Sequence, residues 1–228
     1  CLAKFKVASN SNITKPEPEV TRKYPKNSKC CLAIKWKLQS VLHLLKIQAP
    51  KIKVAVLAIN ESAVQNQLEQ RQIDFALVKP DFQAPDIHAK NLYDERYICA
   101  VRHDHPIAQQ SELTLEQFCQ LEQALISYHG GSFSGITDQA LQALGLQRNV
   151  SLSVQNFIVL PELLAQSDLL AVVPERLIAN LPNLKRFEPP LKIQGFTKTL
   201  IWHERTHKDP AYRWVRELIE RAYLVEEK

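Results

Sequence analysis

Residues 96–106, Arg-Tyr-Ile-Cys-Ala-Val-Arg-His-Asp-His-Pro, constrain the chain more than any other stretch. Tyr97 to Val101 form a continuous apolar run, the pattern of a strand. A charged, imidazole-bearing tail follows, and Pro106 closes it. Strand and helix patterns alternate on either side, and a second apolar strand, Thr197 to His203, brings the chain back. Two such crossings predict two α/β lobes, residues 1–97 with 197–228 and residues 98–196, with a ligand cleft between them.

A chain of 228 residues with 45% apolar and 23% charged side chains suits a globular protein of one large or two small domains. No apolar run reaches the roughly 18 residues of a membrane-spanning helix, so no membrane partner is expected. Five cysteines, Cys1, Cys30, Cys31, Cys99 and Cys119, are odd in number and lack metal-ligand spacing, which points to a reducing compartment. The net charge of +5 is uneven, because residues 1–51 carry 11 Lys or Arg against two acids. Without an aromatic platform or a helix-turn-helix pattern, this excess reads as a solvated arm in preference to a nucleic-acid surface. Methionine is absent, even at position 1, which reads as a fragment of a longer chain or a sequence from which methionines have been lost.

Lys4–Ser9 alternates as a first strand, Lys35–Gln48 repeats apolar residues Leu38, Val41, Leu42 and Leu45 at helical spacing, and Lys51–Ala58 is a second strand. A short helix over 61–70 and a strand at 73–78 complete a strand–helix–strand–helix–strand order, for which a parallel sheet is expected. Residues 79–90 read as loop. In the second lobe, Thr114 is placed to cap a helix, 124–128 and 149–154 are strands around a helix at 136–144, and 169–173 is a buried strand. Leu184–Phe187 reads as an edge strand, and Asp209-Pro210 opens a last helix that should pack on the first lobe.

His129-Gly-Gly-Ser-Phe-Ser-Gly135 holds three of the chain's five glycines between a strand and a helix. Glycines there let backbone N–H groups face an anion, but neither a P-loop nor a dinucleotide fingerprint is present. The pattern alone leaves a plain turn and a ligand loop equally open. Asn156-Phe157 sits at the next strand-to-helix junction and Ser9-Asn10-Ser11 at the first. Open α/β sheets take ligands at such strand ends, so the three places converge on one expectation. His103-Asp104-His105 and the His203/His207 pair with Glu204 do not supply a third converging metal ligand. No nucleophile elbow or catalytic triad can be assembled, so binding is expected over catalysis, with no cofactor.

Several segments then resemble one family. Ala49-Pro-Lys-Ile-Lys-Val-Ala-Val, Leu68-Glu-Gln-Arg-Gln-Ile-Asp-Phe-Ala-Leu, Glu95-Arg-Tyr-Ile-Cys-Ala-Val and Asp168-Leu-Leu-Ala-Val-Val-Pro-Glu-Arg-Leu are similar to the effector-binding domain of LysR-type transcriptional regulators. Leu200-Ile-Trp-His-Glu-Arg-Thr-His-Lys-Asp-Pro resembles in particular the branch responding to aromatic compounds and flavonoids. The resemblance covers about residues 49–224 and the strand at 4–10. It departs from the family at residues 15–34, which are Lys- and Pro-rich where a helix is usual, and it includes no winged helix-turn-helix.

The resemblance implies a type 2 periplasmic-binding-protein-like α/β fold, two Rossmann-like lobes around a central cleft. The effector residues it implies are Ser9, Asn10, Ser11, Phe133, Ser134, Gly135, Asn156 and Phe157, while Trp202 is a further aromatic suited to a ring. It implies a small-molecule effector of the aromatic-acid or phenolic kind, a cytoplasmic homo-oligomer (a dimer, or a tetramer at full length), and contact with DNA only through an N-terminal domain outside this sequence. The alternative is an exported solute-binding lipoprotein anchored at Cys1.

Overall fold

The computed structural model describes residues 3–8, 32–58, 61–79, 84–127, 130–155, 157 and 159–224. Chain contacts divide it into two compact units, one built from β1 (Ala3–Ala8), Ile34–Asp94 and the segment from Thr197 onward, the other from Glu95–Phe196.

In the first unit β1 is followed by α1 (Leu32–Gln48), β2 (Lys53–Ala58), a 3-10 turn, α2 (Val64–Glu69), β3 (Phe75–Val78) and β4 (Ile87–Glu95). The second unit contributes β5 (Tyr97–Arg102), α3 (Leu115–Gln120), β6 (Glu122–Ile126), α4 (Ile136–Gln142), β7 (Asn149–Val154), α5 (Val159–Ala165), β8 (Leu170–Pro174), α6 (Glu175–Ile178) and β9 (Leu184–Phe187). The chain then returns to the first unit through β10 (Phe196–His203), a 3-10 turn and α7 (Pro210–Leu224).

The first sheet has the order β2-β1-β3-β10-β4. β1 runs antiparallel to both β2, with Ala3 opposite Ala58 and Ala8 opposite Lys53, and β3. The expected parallel sheet is therefore corrected at β1. β2 and β3 do share a direction, each being antiparallel to β1, and the short α2 link between them obeys the crossover argument. The connection from Ala8 to Lys53 is far longer, so its length places no constraint on strand direction. The loop reading of residues 79–90 is corrected at its end by β4. Only Leu92 and Glu95 of this edge strand are buried, so its sequence lacks clean alternation.

β3 shows why its residues are apolar without interruption. Phe75 and Leu77 pack with Val41 and Leu45 of α1, Leu200 of β10, and Val215, Leu218 and Ile219 of α7. Ala76 and Val78 face the other way, against Val64 and Leu68 of α2. A strand with helices on both faces must be apolar at every position. Among the described side chains of α1, Val41 and Leu45, one turn apart, are buried, whereas Leu42 is partly solvent-facing, contrary to its place on the apolar face read from the sequence. Asp209 caps α7 as expected, its Oδ1 accepting from Ala211 N at 2.8 Å and Tyr212 N at 3.3 Å.

The second sheet has the order β7-β6-β8-β5-β9. β6 runs parallel to β7 and β8, while β5 is antiparallel to β8 and β9. The β6–α4–β7 unit is thus a parallel crossover, and the turn from β6 into α4 lies at the carboxyl end of a parallel strand. Cys99, Val101, Phe118, Leu141, Leu170 and Phe187 form the core on one face of this sheet. The Thr114 cap of α3 is reciprocal: its hydroxyl accepts from Gln117 N, and the Gln117 side chain accepts from Thr114 N.

Candidate functional site

The β6-to-α4 turn is held by serine hydroxyls and a carboxylate. Ser127, at the end of β6, is tied to β7 through its N–H, which donates to Val154 O at 2.9 Å. Its carbonyl accepts from Gly130 N at 3.1 Å and its hydroxyl accepts from Ser132 N at 3.3 Å. Gly130 and Gly131 then take φ of 77° and 72°, the left-handed region that glycine enters without penalty, and this reverses the chain. The Ser132 hydroxyl donates to Ser134 O at 2.9 Å and lies 3.3 Å from Ser134 N, which it can accept from as well. Ser153 Oγ of β7 donates to Ser132 O at 2.6 Å, fastening the middle of the turn to the neighbouring strand.

Much of the amide capacity that a glycine-rich turn offers an anion is thus already used. Gly130, Ser132, Ser134 and Gly135 N–H groups all have internal acceptors, the last being Asp138 Oδ2 at 2.6 Å. Among the described residues, Gly131 N and Phe133 N have no such partner. Phe133 is 55% exposed, an uncommon setting for a ring that size and one suited to stacking on another ring.

Beneath the turn lies a polar chain that sequence reading missed. Arg148, whose side chain is 1% exposed, grips Asp138 with two parallel bonds, Nε to Oδ1 at 2.8 Å and Nη2 to Oδ2 at 2.6 Å. Its Nη1 donates to Gln123 Oε1 at 3.0 Å, and Gln123, itself fully buried, donates from Nε2 to Phe118 O. Burial opposes ionisation of Asp138, but the Arg148 hydrogen bonds and charge, with the Gly135 and Asp138 amides, outweigh it and hold the carboxyl below its usual range. The available signal was Asp138 at the third position of α4, where a carboxylate can reach back to the capping amide. Nothing local pointed to Arg148 as its partner.

Of the residues expected at a ligand site, Phe133, Ser134 and Gly135 share this turn, and Phe157 is buried in the same unit just before α5. Ser9, Asn10, Ser11 and Asn156 lie outside the described residues, as does His129. Trp202 belongs to the other unit, where it is buried beside Arg216 and His207. The Arg216 guanidinium carbon sits 4.7 Å from the centre of its ring, and its Nε1–H donates to His207 Nδ1 at 3.3 Å.

His105 and His203 have structural partners. His105 is buried, its Nδ1 accepting from Ile107 N at 3.2 Å, so its Nε2–H is the donor to Asp168 O at 3.1 Å. Asp104 pairs with Arg102 at 2.6 Å, and His203 Nδ1 accepts from Arg205 N at 3.1 Å. Among the described residues no three His, Cys, Asp or Glu side chains converge as metal ligands. None of the described helices is long and apolar enough to cross a membrane.

Comparison with known proteins decides the family. The model of the LysR substrate binding domain matches residues 32–223. The chain belongs to this family. HTH-type transcriptional activator NagR of a Ralstonia species is 30% identical to this LysR chain over 183 residues, 78% of the chain and 60% of NagR. HTH-type transcriptional regulator SyrM of Rhizobium meliloti (strain 1021) is 33% identical over 152 residues, 65% of the chain and 46% of SyrM. The LysR chain therefore spans about half the length of these curated relatives, which lie in the branch that the resemblance indicated. The crystal structure of the regulatory domain of MexT, a transcriptional activator in Pseudomonas aeruginosa, superposes with a TM-score of 0.71 at 26% identity, covering 84% of this chain and 94% of that one. The fold is the two-lobed, type 2 periplasmic-binding-protein-like α/β fold of LysR regulatory domains. The domain senses an effector; it is not an enzyme.

Proposed function

We propose that the effector of this LysR domain is a small aromatic acid or phenol, received in part by the turn between β6 and α4. The observation that supports this most is the pairing of an exposed Phe133 ring with an amide and hydroxyl frame set by serines and two left-handed glycines. The ring supplies a stacking face, and the Gly131 and Phe133 amides are the donors for a carboxylate or phenolate. Asn156 and Phe157, at the start of the next strand-to-helix junction, are proposed as further contacts.

In the whole protein this domain would govern a DNA-binding transcriptional regulator, cytoplasmic and homo-oligomeric, whose DNA contacts are made by a helix-turn-helix domain. An effector shifts such a regulator only by its difference in affinity between two states. The test is calorimetric titration of the domain with salicylate, benzoate, a flavone, sugars and amino acids. Binding confined to the aromatic probes, and weakened about tenfold in Phe133→Ala, a loss of about 1.4 kcal/mol, supports the reading. Binding of sugars or amino acids alone, or aromatic binding indifferent to Phe133→Ala, overturns it.

A further inference from the structure

Arg148 lies outside the β6-to-α4 turn, at the approach to β7, yet its bonds end on the turn's last amide. Four linked contacts run from the interior to the turn: Phe118 O to Gln123, Gln123 to Arg148, Arg148 to Asp138, and Asp138 to Gly135 N. Asp138 Oδ2 is the junction, accepting both from Arg148 Nη2 and from Gly135 N, each at 2.6 Å. A carboxylate gripped by a planar fork keeps one further lone pair on each oxygen, and the fork fixes the direction in which the one on Oδ2 points. The α4 entry is therefore determined by the guanidinium as well as by glycine and helix propensity.

We infer that Arg148, acting through Asp138, is a positioning residue that holds the Gly135 end of the turn, and with it Phe133 and Ser134, in the shape that receives the effector. The role of the hold in reception rests on the reading proposed above; the hold itself does not. Only an arginine fits the place. Its three engaged nitrogens reach two acceptors 15 residues apart in sequence, Gln123 and Asp138, whereas a lysine ammonium at the same position would satisfy them from one point and lose the parallel pair. Gln123, buried and bonded at both ends of its amide, fixes the fork's orientation from behind. The arrangement makes the turn's geometry depend on residues that touch no ligand.

The test compares Arg148→Lys, Asp138→Asn and, as a stability control elsewhere in the same sheet, Val173→Ala on the buried strand β8. Amide exchange and proton shifts read the hold without any ligand. Gly135 N–H should exchange at least about tenfold faster and move upfield in the two relay variants, with Val154 and Leu141 amides unchanged, and neither change should occur in Val173→Ala. Salicylate titration then reads reception: affinity should fall about tenfold in Arg148→Lys while Val173→Ala lowers the melting temperature and leaves affinity intact. If Arg148→Lys fails to fold, Asp138→Asn gives the same two readings. Unchanged Gly135 exchange in both relay variants overturns the inference. So does faster exchange with unchanged salicylate affinity, provided Phe133→Ala weakens that affinity. If wild-type protein binds no aromatic probe, it is the proposed effector class that falls, and Gly135 exchange alone decides whether Arg148 holds the turn.

Discussion

The imidazole of His207 lies face to face with that of His88, ring centres 3.9 Å apart and 9° from parallel. Trp202 continues the stack, and each histidine has its own polar partner, Glu204 for His88 and the Trp202 indole N–H for His207. An indole N–H can only donate, so His207 Nδ1 must be unprotonated to accept from it. Desolvation first, then the neighbouring charge on His88, with Arg216 and Lys208 adding to it against Glu204, push the His207 pKa below its ordinary 6.5. A depressed folded-state pKa means that the unfolded chain takes up the proton first. The stack's contribution is therefore complete above pH 6.5 and is lost as pH falls from there toward the lowered folded value. Glu204 acts in a lower window: its carboxyl is held below 4.5, mainly by the His88 hydrogen bond, so its contribution is present above 4.5 and fades as pH falls through the lowered value. Melting temperature measured from pH 7.5 to 5 should fall in the wild type and fall less in His207→Gln. Parallel profiles for the two proteins would refute the assignment.

Gly195 precedes β10 with no room for a side chain. A Cβ built there would stand 2.3 Å from Glu95 O, a backbone atom that cannot swing away. Gly195→Ala should destabilise by about 2 kcal/mol, within the range of overpacking changes. Chemical denaturation would measure it, and a change under about 0.5 kcal/mol would show that the β4–β5 junction gives way easily.

Gly131 poses the opposite case, with a φ of 72° and nothing within 4 Å of a Cβ. The cost of Gly131→Ala is then backbone strain alone, about 1–2 kcal/mol. Gly131→Asn should recover part of it, because asparagine tolerates the left-handed region. Equal stability of all three proteins would mean that the turn relaxes out of that conformation.

Thr114→Ala removes one side of the reciprocal cap on α3 and should cost about 1 kcal/mol. Thr114→Ser should be nearly neutral, since its hydroxyl can still accept from Gln117 N. Paired melting curves of the two variants separate the cap from any methyl packing.

Much of this molecule was legible from local chemistry. β7, the β9 edge strand, the Thr114 and Asp209 caps and the one-sided packing of α7 depend on periods of two or 3.6 residues and on contacts within a turn of helix, which a linear sequence displays directly. The apolar runs of β3 and β5 likewise announced strands, though not what covers their faces. The glycine-rich turn could be located at the carboxyl end of β6, but not which of its amides were already taken. That depended on Ser127, Ser132 and Asp138 as acceptors.

Other features were decided only when distant segments met. The direction of β1 is set by its pairing with β2 and β3, since a connection of that length lets a strand arrive either way round. β4 is a strand because β10 offers it an edge, its own residues lacking the alternation that would announce one. Arg148 looks in sequence like any surface charge beside a strand, and only burial against Asp138 and Gln123 turns it into the support of the turn. Sequence by itself determined where chain segments are regular and which faces are apolar, because those are near-neighbour properties. Tertiary structure alone decided strand direction and polar partnership, because a buried charge or an open sheet edge finds its complement in space, without regard to separation along the chain.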